Sequence, residues 1–223
     1  MANNILLIAA HPDDEILGAG GTLLKHSREK DSVNLLILGD GITSRDIHSD
    51  VKARQHQAKR AAKALGARRL ILKSLPDNQF DTIPLLEITK IIEQAIIEIK
   101  PQIIYTHHLH DLNIDHQLTA QAVLTACRPQ PDFCVKKILS FETPSATEWQ
   151  FKEPSSIFCP NVYNNITEFI DLKINILKIY QSELRQYPHP RSTQGIKILA
   201  RYRGQEVGFA YAEAFQIIRL LND

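Results

Sequence analysis

His11-Pro12-Asp13-Asp14-Glu15 follows directly on the apolar run from Ile5 to Ala10. One imidazole and two adjacent carboxylates at the end of a strand concentrate metal-ligating and proton-transferring groups. Pro12 fixes its own φ and drives His11 toward an extended conformation. The residues beyond it begin a helix, whose N-terminal N–H groups favour nearby carboxylates. Asp13 and Asp14 are neighbours, so their side chains diverge: one can hold a metal while the other faces a reacting centre. In the plainer alternative one aspartate caps the helix and His11 merely ends a strand. That leaves the histidine and the second aspartate without a role.

A second concentration lies in Thr106-His107-His108-Leu109-His110-Asp111-Leu112-Asn113-Ile114-Asp115-His116-Gln117, which holds four of the nine histidines within ten residues. Any one of them could be a surface or packing residue. If this loop meets the first, the two supply two imidazoles and one carboxylate. That is the open three-ligand set of a catalytic zinc site, with water in the fourth position. Zinc lowers the pKa of that water and polarises a carbonyl. An unligated carboxylate can take the proton from water and return it to a leaving nitrogen. The chemistry reached from these residues is metal-assisted hydrolysis, most naturally of an amide.

The loops must be positioned by the elements around them. Ile5 to Ala10, Val33 to Leu38, Leu70 to Leu72 and Ile103 to Tyr105 are short continuous apolar runs, as in strands buried on both faces. Helices are expected between them over 15–28, 51–65 (ending at Gly66) and 85–99 (stopped by Pro101), with another over 117–126. This alternation predicts an α/β fold with a mostly parallel sheet flanked by helices. Ligands in such sheets bind beyond the C-terminal strand ends, where both motifs fall. Further on, 136–141 reads as a strand, 142–165 as a loop and 171–182 as a helix. Residues 187–192 form a Pro-rich loop and 196–202 a helix. Residues 214–220 fit a helix or a closing strand equally. With no repeat or linker, residues 1–223 read as one domain with an extended C-terminal part.

Lys+Arg number 26 against 25 Asp+Glu, a net charge of +1, which provides no footprint for nucleic acid and no polybasic membrane patch. Cys127, Cys134 and Cys159 have neither disulfide-framework nor thiolate-zinc spacing. The first apolar run is too short for a signal-peptide core or a membrane span. A soluble cytoplasmic protein is expected, and a homo-oligomer is left open.

Taken together, the two motifs resemble the PIG-L (LmbE-like) family of zinc-dependent N-deacetylases. Gly18-Ala19-Gly20-Gly21-Thr22, Arg54 ahead of Ala64-Leu65-Gly66, Leu75-Pro76-Asp77, Arg203-Gly204 and Tyr211-Ala212-Glu213-Ala214-Phe215 support the resemblance. It implies a Rossmann-like fold and metal ligation by His11, Asp14 and His116, with Asp13 as general base. The metal would be Zn2+, or Fe2+ on the same donors. The substrate would be an N-acetylated glucosamine-type sugar or its conjugate. Asp115 would support the His116 loop or cap its helix. Arg54 and Asp77 would contact sugar hydroxyls or an attached group; their alternatives are a solvated helix charge and a turn residue. His189 or Arg191 would be presented to substrate by the Tyr187–Ser192 loop. The sequence departs from the family where many members carry a histidine three residues before the last ligand. Here Asn113 stands there, able to donate a hydrogen bond but not to act as an acid, and His110 is a candidate substitute. Gln57 replaces a frequent glutamate, read as a neutral change. Gly18, Gly20 and Gly21 lie too far into their helix for a dinucleotide fingerprint and are read as packing glycines. Two other readings are a non-catalytic sugar- or nucleotide-binding module and an amidase acting on a larger sugar–thiol conjugate.

Overall fold

The structure, a computed structural model, describes residues 2–44 and 50–222. Strands β1 (Asn4–Ala9), β2 (Ser32–Gly39), β3 (Arg69–Leu75), β4 (Ile103–His107), β5 (Lys137–Phe141), β6 (Val162–Asn165) and β7 (Ala212–Leu220) form one sheet of order β3-β2-β1-β4-β5-β7-β6. From β3 to β5 every pairing is parallel, whereas β7 runs antiparallel to both β5 and β6. Helices α1 (Asp14–Arg28), α2 (Val51–Leu65), α3 (Leu85–Ile99), α4 (Ile114–Ala126), α5 (Ile170–Leu177) and α6 (Thr193–Gln205) complete the α/β fold.

The parallel strands are apolar throughout because both faces are covered. Ile5, Leu7 and Ala9 of β1 join a core that includes residues of α1, α2 and α5. Leu6, Ile8 and Ala10 point the other way, into a core with Ile88, Ile92 and Ile96 of α3 and Ala122 and Val123 of α4. The chain winds outward from β1 through β2 to β3, then returns to the other side of β1 as β4. Strand order therefore reverses between β1 and β4, and the crevice beyond their C-terminal ends is where such sheets bind ligands.

Helix α1 can lie close to the sheet because of its glycines. A Cβ on Gly18 would fall 2.2 Å from the Phe141 ring, and one on Gly21 2.8 Å from Ile166. The same helix is tied to the C-terminal part by a buried ion pair. Glu213 of β7 accepts from the N–H groups of Gly21 (2.8 Å) and Thr22 (2.7 Å) and from Lys173 Nζ of α5 (2.6 Å). Lys173 also donates to the Leu17 carbonyl at 2.9 Å, the acceptor that Gly21 N–H would use in a regular helix.

The later elements differ from the sequence expectation. The undecided stretch 214–220 lies within strand β7, where Ala212, Ala214 and Phe215 are buried. Residues 142–165 are not wholly loop: they contain a short helical turn at Thr147–Trp149 and strand β6. The helix expected over 171–182 ends at Leu177 and tightens into a 3₁₀ segment, Lys178–Glu183, with Tyr180 at φ −93°, ψ 50°. Apolar spacing does not distinguish this tighter turn from an ordinary helix.

Candidate active site

The loop after β1 and the loop after β4 face each other across the switch point. His11, Asp14 and His116 converge, each offering a ligand atom within 4.8 Å of the others. His11 Nδ1 lies 3.3 Å from Asp14 Oδ2, and His116 Nε2 lies 3.3 Å from the same oxygen. All three residues are buried. Asp14 Oδ1 and both ring nitrogens of His116 have no hydrogen-bond partner. Buried polar atoms without partners are costly unless a ligand satisfies them. Two imidazoles with one carboxylate are a donor set suited to zinc or Fe(II). Burial would lower the histidine pKa values, but the surrounding carboxylates hold His11 up at about 10 and His116 at about 9. Burial would also raise Asp14, yet His116, His107 and His11 hold it well below the usual carboxylate range. Each shift shows a site that favours positive charge beside Asp14. A second grouping, His11 with Asp77 and Asp115, is equally compact. Its Asp115 carboxylate is already satisfied by Asn78 N–H (2.7 Å), Phe80 N–H (3.0 Å) and His11 Nε2 (2.8 Å).

Asp115 is the second residue of α4, but the cap of that helix is Asn113, whose Oδ1 accepts from Asp115 N at 2.8 Å. The Asn113 amide donates to Asn78 Oδ1 at 3.0 Å. Asp77 Oδ1 lies 3.2 Å from His11 Nε2, and its other oxygen accepts from Ser44 Oγ. Ser44, Asp77, Asn78 and Asn113 therefore form a polar arc beside His11. His110 is exposed and set edge-on to His108, away from the ligand cluster.

Asp13 points elsewhere. Its φ is 114°, a left-handed value that a non-glycine residue adopts only when its surroundings enforce it. No side chain caps α1; instead Asp13 N–H donates to Glu15 Oε2 at 2.9 Å. The turned backbone separates the Asp13 carboxylate from that of Asp14 and brings it within 3.2 Å of Arg191 Nη1. Burial is the main cause that pushes Asp13 up to about 7, with Asp14 and Glu183 adding and Arg191 and Arg54 opposing.

Both the sequence and the fold find counterparts among known proteins. The family model PIG-L, GlcNAc-PI de-N-acetylase, covers residues 6–127. The chain belongs to the PIG-L family. An Escherichia coli (strain K12) protein named uncharacterized deacetylase YaiS is 30% identical over 185 residues, 80% of this chain and 90% of that one. A probable N-acetyl-alpha-D-glucosaminyl L-malate deacetylase 2 of Bacillus anthracis is 23% identical over 189 residues, 81% of each chain. The structure of N,N'-diacetylchitobiose deacetylase from Pyrococcus horikoshii matches with a TM-score of 0.78 at 20% identity, over 97% of this chain and 84% of that one. These relatives are deacetylases, hydrolases of amide bonds, and the last shares the fold. Among the described residues of this PIG-L chain, no helix is long and apolar enough to cross a membrane.

The remaining sequence-derived residues take specific places. Arg54 of α2 is only 2% exposed, so it is not a solvated helix charge. Its Nη2 donates to Glu183 Oε1 and to the Gly41 carbonyl (3.4 Å), and its guanidinium lies 5.8 Å from the Tyr180 ring centre. Gln57 stands beside it, with Oε1 3.5 Å from Arg54 Nη1. Arg191 is held by the Pro144 carbonyl (3.2 Å) and Ser145 Oγ (2.7 Å) in addition to Asp13. His189 accepts from Arg191 N–H through Nδ1 and stands edge-on to Trp149.

Besides Ser44 and Asn78 of the polar arc, His107, Asp111, Glu15, Tyr180 and Glu183 were not singled out as site residues from sequence. His107 stacks on His116 at 3.9 Å, and its Nε2 accepts from Ala10 N–H at 2.9 Å. Burial first, then His116, hold its pKa well below normal, so it is a neutral ring with the proton on Nδ1, facing Thr143 Oγ1 at 3.3 Å. Asp111 Oδ1 lies 3.3 Å from His116 Nδ1, while its Oδ2 accepts from Thr147 Oγ1. Both lay in the histidine-rich loop and were visible as ligand types. Glu15 was visible beside the two aspartates. Tyr180 and Glu183 carried no signal, because they arrive from a segment far along the chain with no motif of its own.

Proposed function

We propose that this protein is a zinc-dependent N-deacetylase that hydrolyses the acetamide of an N-acetylated, GlcNAc-type amino sugar or its conjugate, releasing acetate and a free amine. The observation that carries this reading is the convergence of His11, Asp14 and His116, two of them with unpartnered buried atoms, beside a separate buried carboxylate on Asp13. His11, Asp14 and His116 would hold the ion. When bound, zinc lowers the pKa of water and polarises the acetamide carbonyl; Fe(II) suits the same donors. Asp13 takes the proton from water and delivers it to the leaving nitrogen. Arg191 at 3.2 Å favours the ionised form of that carboxylate against its burial and orients it. Asp115 accepts from His11 Nε2–H, which leaves Nδ1 turned toward Asp14.

The family description and the names of the relatives support a GlcNAc-type substrate. Asp77 and Asn113, on the polar arc beside His11, would take sugar hydroxyls, and Arg191 and His189 would border the opposite wall. Arg54 sits behind that wall and would act on the substrate pocket through Glu183. The three unpaired thiols support a reducing, cytoplasmic setting.

Acetate release should be assayed on free N-acetylglucosamine, its methyl and p-nitrophenyl glycosides and N,N'-diacetylchitobiose. Protein purified without added metal should carry about one divalent ion per chain, held by His11, Asp14 and His116. Chelation should abolish turnover, and zinc should restore it. Full activity in metal-free protein, or acetate release from none of these sugars, would overturn the reading.

A further inference from the structure

Asp13 holds a left-handed backbone and a fixed carboxylate direction, and both trace to one short segment. At the backbone end, Asp13 N–H donates to Glu15 Oε2 at 2.9 Å, and Tyr180 Oη donates to Glu15 Oε1 at 2.7 Å. At the side-chain end, Arg191 Nη1 donates to Asp13 Oδ2 at 3.2 Å, and Glu183 Oε2 lies 3.8 Å from the same Nη1. Glu183 Oε1 takes the buried Arg54 guanidinium. Tyr180 and Glu183 are both in the 3₁₀ segment Lys178–Glu183, and both are buried. The non-helical backbone at Tyr180 lets two residues three apart serve two ends of one aspartate.

We propose that Tyr180 and Glu183 are positioning residues for Asp13: Tyr180 fixes its backbone through Glu15, and Glu183 fixes its carboxylate through Arg191. The proposal rests on the reading of Asp13 as the base. The physical reason is strain. A non-glycine φ of this kind costs on the order of 1–3 kcal/mol and persists only where the surroundings enforce it. Nothing in His11-Pro12-Asp13 itself enforces it. The Glu15 carboxylate favours it by accepting from Asp13 N–H at 2.9 Å, and Tyr180 holds Glu15 in place. Two guanidiniums behind one carboxylate would repel each other; Glu183 lets Arg54 stay buried while Arg191 reaches forward. The contacts described above end on Asp13, so the arrangement acts on proton transfer more than on metal binding.

The test uses the full chain with zinc and the variants Tyr180→Phe and Glu183→Gln, each nearly the same shape as the original. Lys178→Ala, an exposed change in the same segment, is the control. Both test variants should keep zinc content, and Tyr180→Phe should also keep KM on the sugar of the panel that is turned over fastest. Their kcat should fall about tenfold to a hundredfold, the scale expected when a reacting group is displaced by about an ångström. Lys178→Ala should match wild type. In crystals, Tyr180→Phe should let Asp13 relax from its left-handed φ, and Glu183→Gln should shift Arg191 from Oδ2. This structural readout needs no substrate, so it separates failure of the positioning proposal from failure of the deacetylase reading. Should Glu183→Gln not fold, Arg191→Lys reads the same contact from its more open side. Unchanged kcat with Asp13 unmoved in both variants would overturn the proposal. Loss of zinc in step with loss of activity would overturn it too, since the segment would then serve the metal site.

Discussion

Asp13 and Asp14 are the same residue type one position apart, yet their environments differ in every respect that matters. Asp14 is surrounded by three imidazoles and held ionised, with one oxygen lacking any protein partner. Asp13 faces a guanidinium and is raised to about 7, chiefly by burial. Asp13→Ala should therefore retain zinc and lose roughly 10²–10⁴-fold in turnover, the usual contribution of general acid–base catalysis. Asp14→Ala should lose zinc affinity, because two imidazoles remain where three ligands are wanted, and excess zinc should restore part of its activity. Paired measurements of metal content and kcat at several zinc concentrations check both. The opposite pattern would exchange the two roles. His116→Ala belongs with Asp14→Ala and should lower both metal affinity and turnover.

At the scale of elements, α1 is the carrier of both aspartates, and its distance from the sheet fixes where they point. Gly18 is the contact that permits this distance, with an added methyl 2.2 Å from Phe141. Gly18→Ala should destabilise the fold by roughly 1–3 kcal/mol through overpacking. Urea denaturation would show it as a lower midpoint at an unchanged m-value. The cost should exceed that at Gly20, where the nearest atom, Ile16 Cγ2, lies 3.1 Å away. Equal effects at the two positions would mean that α1 can move off the sheet, and that the glycines do not set its place.

Across the whole molecule, the buried Lys173–Glu213 pair joins α1, α5 and β7 and so binds the C-terminal part to the motif-bearing half. Lys173→Met leaves Glu213 buried without its cation, a loss on the order of 3–5 kcal/mol. The double variant Lys173→Met/Glu213→Gln removes the charge and keeps an amide oxygen for the α1 N–H groups, so it should recover much of that loss in thermal denaturation. Thiol chemistry gives a second check at this scale. Cys127 is buried, which pushes its thiol up to about 12, whereas Cys159 is exposed. In the native protein iodoacetamide should label Cys159 readily and leave Cys127 unmodified until unfolding; comparable labelling of both would contradict the packing around α4.

The sequence by itself determined the doubly covered parallel sheet, because continuous apolar runs of strand length alternating with periodic helices have few other ways to hide both faces. It placed the candidate ligand types after β1 and after β4, because His11 to Asp14 and His107 to His116 cluster them at strand ends. Both are local patterns, readable from residue type and spacing. It did not determine which residues surround Asp13. Tyr180 and Glu183 lie more than 160 positions away in a segment whose spacing reads as ordinary helix, and Arg54 reads as a surface charge until α2 is packed. Nor could it assign β7, where short apolar stretches suit helix and strand alike until β5 and β6 supply hydrogen-bonding edges. Those outcomes depend on long-range pairing and burial. The tertiary structure alone decided that Arg54 would be sealed against Glu183, that Asn113 would cap α4 in place of Asp115, and that Asp13 would be met by the Arg191 guanidinium while Tyr180 holds Glu15, two donors arriving from the far end of the chain.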